Sequence, residues 1–157
     1  MATWAEFERA EPDLAAFGRD RMDERVCFHA TLRPDGAPRV HPVEPWIAAG
    51  LLLVRFRARS PKVLEVARDA RFALHSPMDN PDGIGGEFLV NGWMEQVSPA
   101  HPAARRFAEG SSEPLAFYAM SLEEVVATTY EGPELDPVYR RWRDDQATRP
   151  GDPSGAE

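Results

Sequence analysis

Lysine is nearly missing from this sequence: of its 18 Lys and Arg residues, only Lys62 is a lysine. Cysteine is as sparse. Cys27 stands alone, which excludes an internal disulfide and suits a reducing compartment. The longest apolar run, Ile47 to Val54, is far shorter than the roughly 20 residues that cross a bilayer. The start, Met1-Ala2-Thr3-Trp4-Ala5-Glu6, has neither the basic lead nor the apolar stretch of a secretory signal. The expectation is a cytoplasmic protein with no membrane partner. Positive charge is in deficit too, with a net charge of −8 and a pI near 5.0. Such a surface repels phosphate backbones and argues against nucleic acid as a partner, so any anion site must be local.

What is present suits one β-rich domain. The 157 residues fit a single domain, and 43% apolar content supplies a core. Fifteen prolines favour strands and loops over a helix bundle. Thr3 with Glu6 forms a capping box, which predicts a short helix, a break near Glu11 and a second helix to about Met22. Val26, Phe28, Ala30 and Leu32 alternate with Cys27, His29 and Thr31 as a strand does, and Arg33-Pro34-Asp35-Gly36 turns into a second strand, Pro38 to Glu44. Ala48-Ala49-Gly50 turns into Leu51 to Arg57. Ser60 reads as an N-cap with Pro61 at the first helical position, and Val63, Leu64, Val66 and Ala67 are placed inward, with the helix ending near Asp69.

Strands are expected at Arg71 to His75 and Phe88 to Val97, with a Gly/Pro-rich loop between them. A helix is expected over Ser98 to Glu109. Leu115 to Met120 and Glu124 to Tyr130 read as strand, as two pieces or one long bent one. Pro137 to Arg143 reads as a short basic helix. The fold class is α+β, mainly β: an antiparallel split β-barrel of about six strands with short flanking helices. Residues 1–143 form the domain, and 144–157 are a polar tail expected to be disordered.

The segment most informative about chemistry is Arg55-Phe56-Arg57-Ala58-Arg59-Ser60-Pro61-Lys62, with four positive charges and no acid. Ser60 and Pro61 open a helix whose free N–H groups and dipole attract an anion, and an ammonium at Lys62 suits phosphate. Arg55, Arg57 and Arg59 are two apart and share one face. A solvated basic strand edge is the competing reading. In Arg39-Val40-His41-Pro42-Val43, Arg39 and His41 point to one face and Val40 and Pro42 to the other.

Other candidates carry less. His29, His41, His75 and His101 lack paired metal-ligand spacing, so no metal site is assigned. No base can be placed beside Cys27. Gly83-Ile84-Gly85-Gly86 has no following helix pattern and is no dinucleotide fingerprint. Trp46, Trp93 and Trp142 read as core or dimer contacts. Arg140-Arg141-Trp142-Arg143 reads as an exposed helix face.

Taken in order, the Asp35-Gly36 turn, the strand Arg39-Val40-His41-Pro42-Val43, the helix start Ser60-Pro61-Lys62 and the segment Arg68-Asp69-Ala70-Arg71-Phe72-Ala73-Leu74-His75 resemble the pyridoxamine 5′-phosphate oxidase-like family of flavin-binding split β-barrels. The resemblance covers about Glu24 to Val97, and more loosely Ala127-Thr128-Thr129-Tyr130. It implies a homodimer with FMN in a groove between subunits. Ser60 and Lys62 would hold the phosphate, and the strand bearing Arg39, Val40 and His41 would lie along the cofactor, with Arg57 close by. The oxidase itself differs: Glu44 and Pro61 stand where it carries basic residues, and its substrate-binding residues have no counterpart.

The expected function is therefore an FMN-dependent oxidoreductase that passes a hydride or electrons between a reduced nicotinamide and a small substrate, with no catalytic residue named. The alternatives are a deazaflavin-dependent reductase on the same fold, a non-catalytic flavin- or haem-binding module, and a cofactor-free structural dimer.

Overall fold

Thr3 and Glu6 begin the first helix as their spacing suggests. In the computed structural model, which describes residues 1–146, the Glu6 N–H donates to Thr3 Oγ1 (3.3 Å) and the Thr3 N–H to Glu6 Oε2 (2.7 Å). Helix α1 (Trp4–Ala10) stops at Glu11, and Pro12 opens α2 (Pro12–Met22). Trp4 and Phe7 are fully buried and pack edge-to-face, with centroids 5.4 Å apart. Burying such rings stabilises the fold by roughly 1.5–3 kcal/mol each.

The strands are β1 (Cys27–Leu32), β2 (Pro38–Val43), β3 (Trp46–Ala48), β4 (Leu51–Arg57), β5 (Arg71–His75), β6 (Glu87–Val97), β7 (Leu115–Glu131) and β8 (Asp136–Arg143), with α3 (Pro61–Arg68) between β4 and β5 and α4 (Arg105–Glu109) after β6. All pair antiparallel in one sheet of order β2-β1-β5-β6-β7-β4-β3, with β8 also on β7. Strand β7 is the spine. Its first half lies between β6 and β4, and its second half between β6 and β8. The result is the antiparallel split barrel of an α+β fold. The apolar faces of β4, β5, β6 and β7 converge on Phe56, Leu74, Phe88, Val90 and Met120. No helix among the described residues is long and apolar enough to cross a membrane.

Four expectations change. Eight strands form rather than about six. One addition is β3, a three-residue strand that Trp46 starts by burying its ring and donating from Nε1 to the Ala103 carbonyl (2.8 Å). The other is β8, where a short basic helix is expected. The Pro137–Arg143 segment spaces Val138, Tyr139 and Trp142 as a helix would, but Val138 and Tyr139 stay 40% and 57% exposed. It gains instead a ladder along β7 from Tyr130 to Glu124 and a contact between Trp142 and Phe7, 5.0 Å apart. The third is the Ser98 to Glu109 helix, which shrinks to α4 because Pro99 and Pro102 hold the preceding residues in turns. The fourth is the face of α3: Glu65 and Val66 are buried, whereas Leu64 is 75% exposed. The expected tail begins with Asp144, whose N–H donates to the Glu123 carbonyl, and residues 147–157 lie outside the described residues.

Candidate functional site

Helix α3 starts as a capped helix. The Ser60 side chain accepts from the Lys62 N–H (3.4 Å), and Pro61 fills the first position with its fixed φ. About two turns of helical spacing put Lys62, Val63, Glu65 and Val66 toward the sheet. The facing surface is the β1–β2 hairpin, whose register sets Thr31 opposite Arg39 and His29 opposite His41. These four side chains share one face because cross-strand partners and every second residue do.

Glu65 is the centre of this contact. Its carboxylate is 4% exposed, and both oxygens are used: Thr31 Oγ1 donates to Oε2 (3.0 Å), and Arg39 Nε lies 2.9 Å from Oε1. The Arg39 contact is a close ion pair whose Nε–H is bent away from a hydrogen-bond line. A carboxylate buried this deeply is stable only with such partners.

His29 Nδ1 and His41 Nε2 are 3.1 Å apart, so one ring donates to the other when one of these two nitrogens carries its ring's proton and the other does not. The two rings sit among Phe56 and Phe72, with centroid distances of 5.8–6.0 Å. Burial, then the neighbouring His41 and Lys62, lower the His29 pKa to about 3. Burial, then Lys62 and Arg39, lower that of His41 to about 4. Both are neutral at physiological pH. His29 Nε2 and His41 Nδ1 are buried without a hydrogen-bond partner among the described residues.

The shifts give a pH prediction. An unfolded imidazole binds its proton near pH 6.5, whereas the folded pair does not until about 4 and about 3. The unfolded state therefore holds more protons in that window, and stability falls as pH drops through it. Urea unfolding at pH 5 rather than pH 7 is expected to show a loss on the order of 2 kcal/mol for each histidine. Equal stability at the two pH values would show that the pair titrates normally.

Lys62 completes the corner. Its Nζ lies 5.3 Å from the Phe56 ring centroid, it is half-buried, and it makes no ion pair among the described residues. Burial lowers its pKa first, Arg39 lowers it further, and Glu65 opposes them. Lys62 and Arg39 thus lie near one carboxylate that pairs only with Arg39, leaving an excess positive charge by the start of α3 in a chain of net charge −8. A phosphate monoester fits this donor set: an ammonium, a guanidinium fork and the first N–H groups of a helix.

Of the residues expected at the site, Arg39, His41, Ser60 and Lys62 come together here. Val40 does not, since it projects from the other face of β2 and is 64% exposed. Arg57 lies on the opposite face of β4 from Phe56, where its Nε pairs with Glu113 (3.2 Å). Arg55 shares that face, pairing with Glu44 (3.3 Å) and stacking on Phe107 at 3.9 Å. Strand β4 ends at Arg57, so Arg59 sits in the following turn and not in the strand row. Glu65, Thr31 and the pairing role of His29 were not legible as site features. The one available signal was the 3.6-residue spacing that puts Glu65 on the same side as Lys62 and Val66.

By sequence, no family model and no curated protein matches the chain. By structure, it is similar to PhzG from Burkholderia lata, solved in complex with tetrahydrophenazine-1-carboxylic acid. There the TM-score is 0.64 at 12% identity, over 91% of this chain and 88% of that one. It is similar to a Listeria innocua protein provisionally assigned as a pyridoxamine 5′-phosphate oxidase, with TM-score 0.61 and 15% identity over 75% and 97% of the two chains. It is also similar to a heme binding protein from Mycobacterium smegmatis, with TM-score 0.60 and 16% identity over 83% and 58%. At these identities the likeness is one of fold, and the fold is the pyridoxamine 5′-phosphate oxidase-like split barrel.

Proposed function

We propose that the protein binds FMN, with the phosphate at Ser60, Lys62 and Arg39, and acts as a flavin-dependent oxidoreductase between a reduced nicotinamide and a small substrate in the cytoplasm. The observation that carries this reading is Lys62: a half-buried ammonium with no ion pair among the described residues, beside a second cation. Bound flavin would supply the hydride and electron chemistry, and the protein the binding and orientation. Ser60 and the α3 N-terminus would meet phosphate oxygens, Lys62 and Arg39 would neutralise them, and the neutral His41 at the edge of this corner would offer a hydrogen bond without adding charge. Neither histidine is poised as a strong base, because each is held neutral and bonded to the other. The same pairing disfavours haem ligation, as His29 is fully buried and His41 is engaged with it.

The reading includes a homodimer with the cofactor near the interface. Its support is the outward side of the β1–β2 hairpin, where Val26, Phe28 and Val40 are 58%, 50% and 64% exposed. Next to them Ala30, Leu32, Pro38 and Ala73 line a shallow cleft of about 220 Å³. Solvated apolar faces of this kind are normally covered. Val40 and Arg57, which point away from Lys62, would then meet a cofactor or a second copy from the interface side. Light scattering is expected to give twice the 17.5 kDa chain mass, and Phe28→Glu with Val40→Glu is expected to halve it. A wild-type mass of one chain would contradict the dimer. A spectral titration against FMN, a deazaflavin and haem tests the cofactor, with tight binding of FMN expected.

A further inference from the structure

Arg39 enters the proposed phosphate corner through an unusual grip. It is 39% exposed while its partner Glu65 is 4% exposed, so the ion pair runs from the interior to the surface. The carboxylate meets the Nε edge, which leaves both Nη groups without a partner among the described residues. A guanidinium is planar and rigid, so an ion pair at Nε, without a hydrogen bond there, keeps the Nη groups on the side away from the carboxylate. Glu65 in turn is not free to swing, because Thr31 Oγ1 donates to its second oxygen and the surrounding helix face is buried. Thr31 and Arg39 are cross-strand partners, so the hairpin register itself ties the three groups into one unit.

We infer that Glu65, held by Thr31, is a positioning residue that aims the Arg39 fork beside Lys62, and so sets the preference of the site for a phosphorylated over an unphosphorylated flavin. This rests on the phosphate reading of the same corner. A purely structural role for the Thr31–Glu65–Arg39 chain, stapling α3 to the hairpin, would affect all ligands alike. A purely electrostatic role would act in the opposite direction, because removing a carboxylate raises the local positive charge and favours phosphate. Positioning alone makes loss of the carboxylate or of its anchor weaken FMN while leaving riboflavin untouched.

The experiment titrates the full chain with FMN and with riboflavin by quenching of flavin fluorescence. Thr31→Val removes the anchoring hydroxyl without changing any charge. It is expected to weaken FMN about three- to tenfold and riboflavin less than about twofold, and to have no effect on FMN when Arg39 is already Ala. Glu65→Gln, of the same size, is expected to lower the FMN-to-riboflavin affinity ratio in the same way, and serves if Thr31→Val fails to fold. A ratio that is unchanged or raised in these variants, or a parallel loss for both flavins, overturns the inference alone. A wild-type protein with no preference for FMN over riboflavin overturns the phosphate reading and this inference with it.

Discussion

Replacing Lys62 by Ala is expected to weaken FMN binding ten- to a hundredfold while leaving riboflavin binding nearly unchanged. A charge-assisted bond to phosphate contributes about 1.5–3 kcal/mol, and each 1.4 kcal/mol is a factor of ten. The ammonium is only half-buried, so solvent screening favours the lower part of that range. A second readout does not depend on any ligand. Lys62 is one of the charges that hold the His41 pKa down to about 4, second only to burial. Removing it is expected to move His41 up, which an NMR titration of the imidazole resonances measures. A variant that binds FMN like the wild type would remove Lys62 from the phosphate site, and an unmoved His41 would remove it from this corner.

Replacing Gly92 by Ala is expected to cost more than any surface change in the molecule. Between Asn91 and Gly92 the pairing of β6 with β7 shifts register, at a bulge. There the strands approach so closely that a Cβ on Gly92 would sit 1.8 Å from the Ser121 carbonyl oxygen and 2.9 Å from its carbon. Backbone cannot rotate aside as a side chain can, so β6 or β7 must move. Because β7 is paired on both sides, movement there disturbs β4 and β8 as well. A loss of about 3 kcal/mol or more in urea unfolding is expected, at the upper end of overpacking costs. Gly36→Ala is the useful contrast. Its Cβ would meet nothing within 4 Å, and the only penalty is the positive φ of 82°, worth about 1 kcal/mol. Equal losses at the two sites would mean that the close approach of β6 and β7 is not a constraint.

Local signals made most of the fold readable. The Thr3–Glu6 box, Pro12 and Pro61 at helix starts, and the period-two run before Arg33 all act within a few residues, and all appear where expected. Strand β8 was misread although its partner is the adjacent end of β7 across the turn from Gly132 to Leu135, so the hairpin is local and only the Trp142–Phe7 contact is distant. The split of the basic segment has a longer-range cause. Alternation places Arg55 and Arg57 together, but whether they share a side with Lys62 depends on where α3 lands after the turn. They face Glu44, Glu113 and Phe107 instead. The isolated lysine and the Arg39–His41 pair were readable as residues. The buried carboxylate between them was not, since the helical spacing that sets Glu65 beside Val66 does not say that Thr31 and Arg39 will meet it.

The most direct test of the account is a calorimetric titration of the wild-type chain with FMN and riboflavin, with inorganic phosphate as competitor. The arrangement of Lys62, Arg39 and the α3 N-terminus predicts that FMN binds at least about tenfold more tightly than riboflavin, equivalent to about 1.4 kcal/mol or more. It also predicts that phosphate weakens FMN and not riboflavin. Equal affinity for the two flavins, or no binding of either, would contradict it.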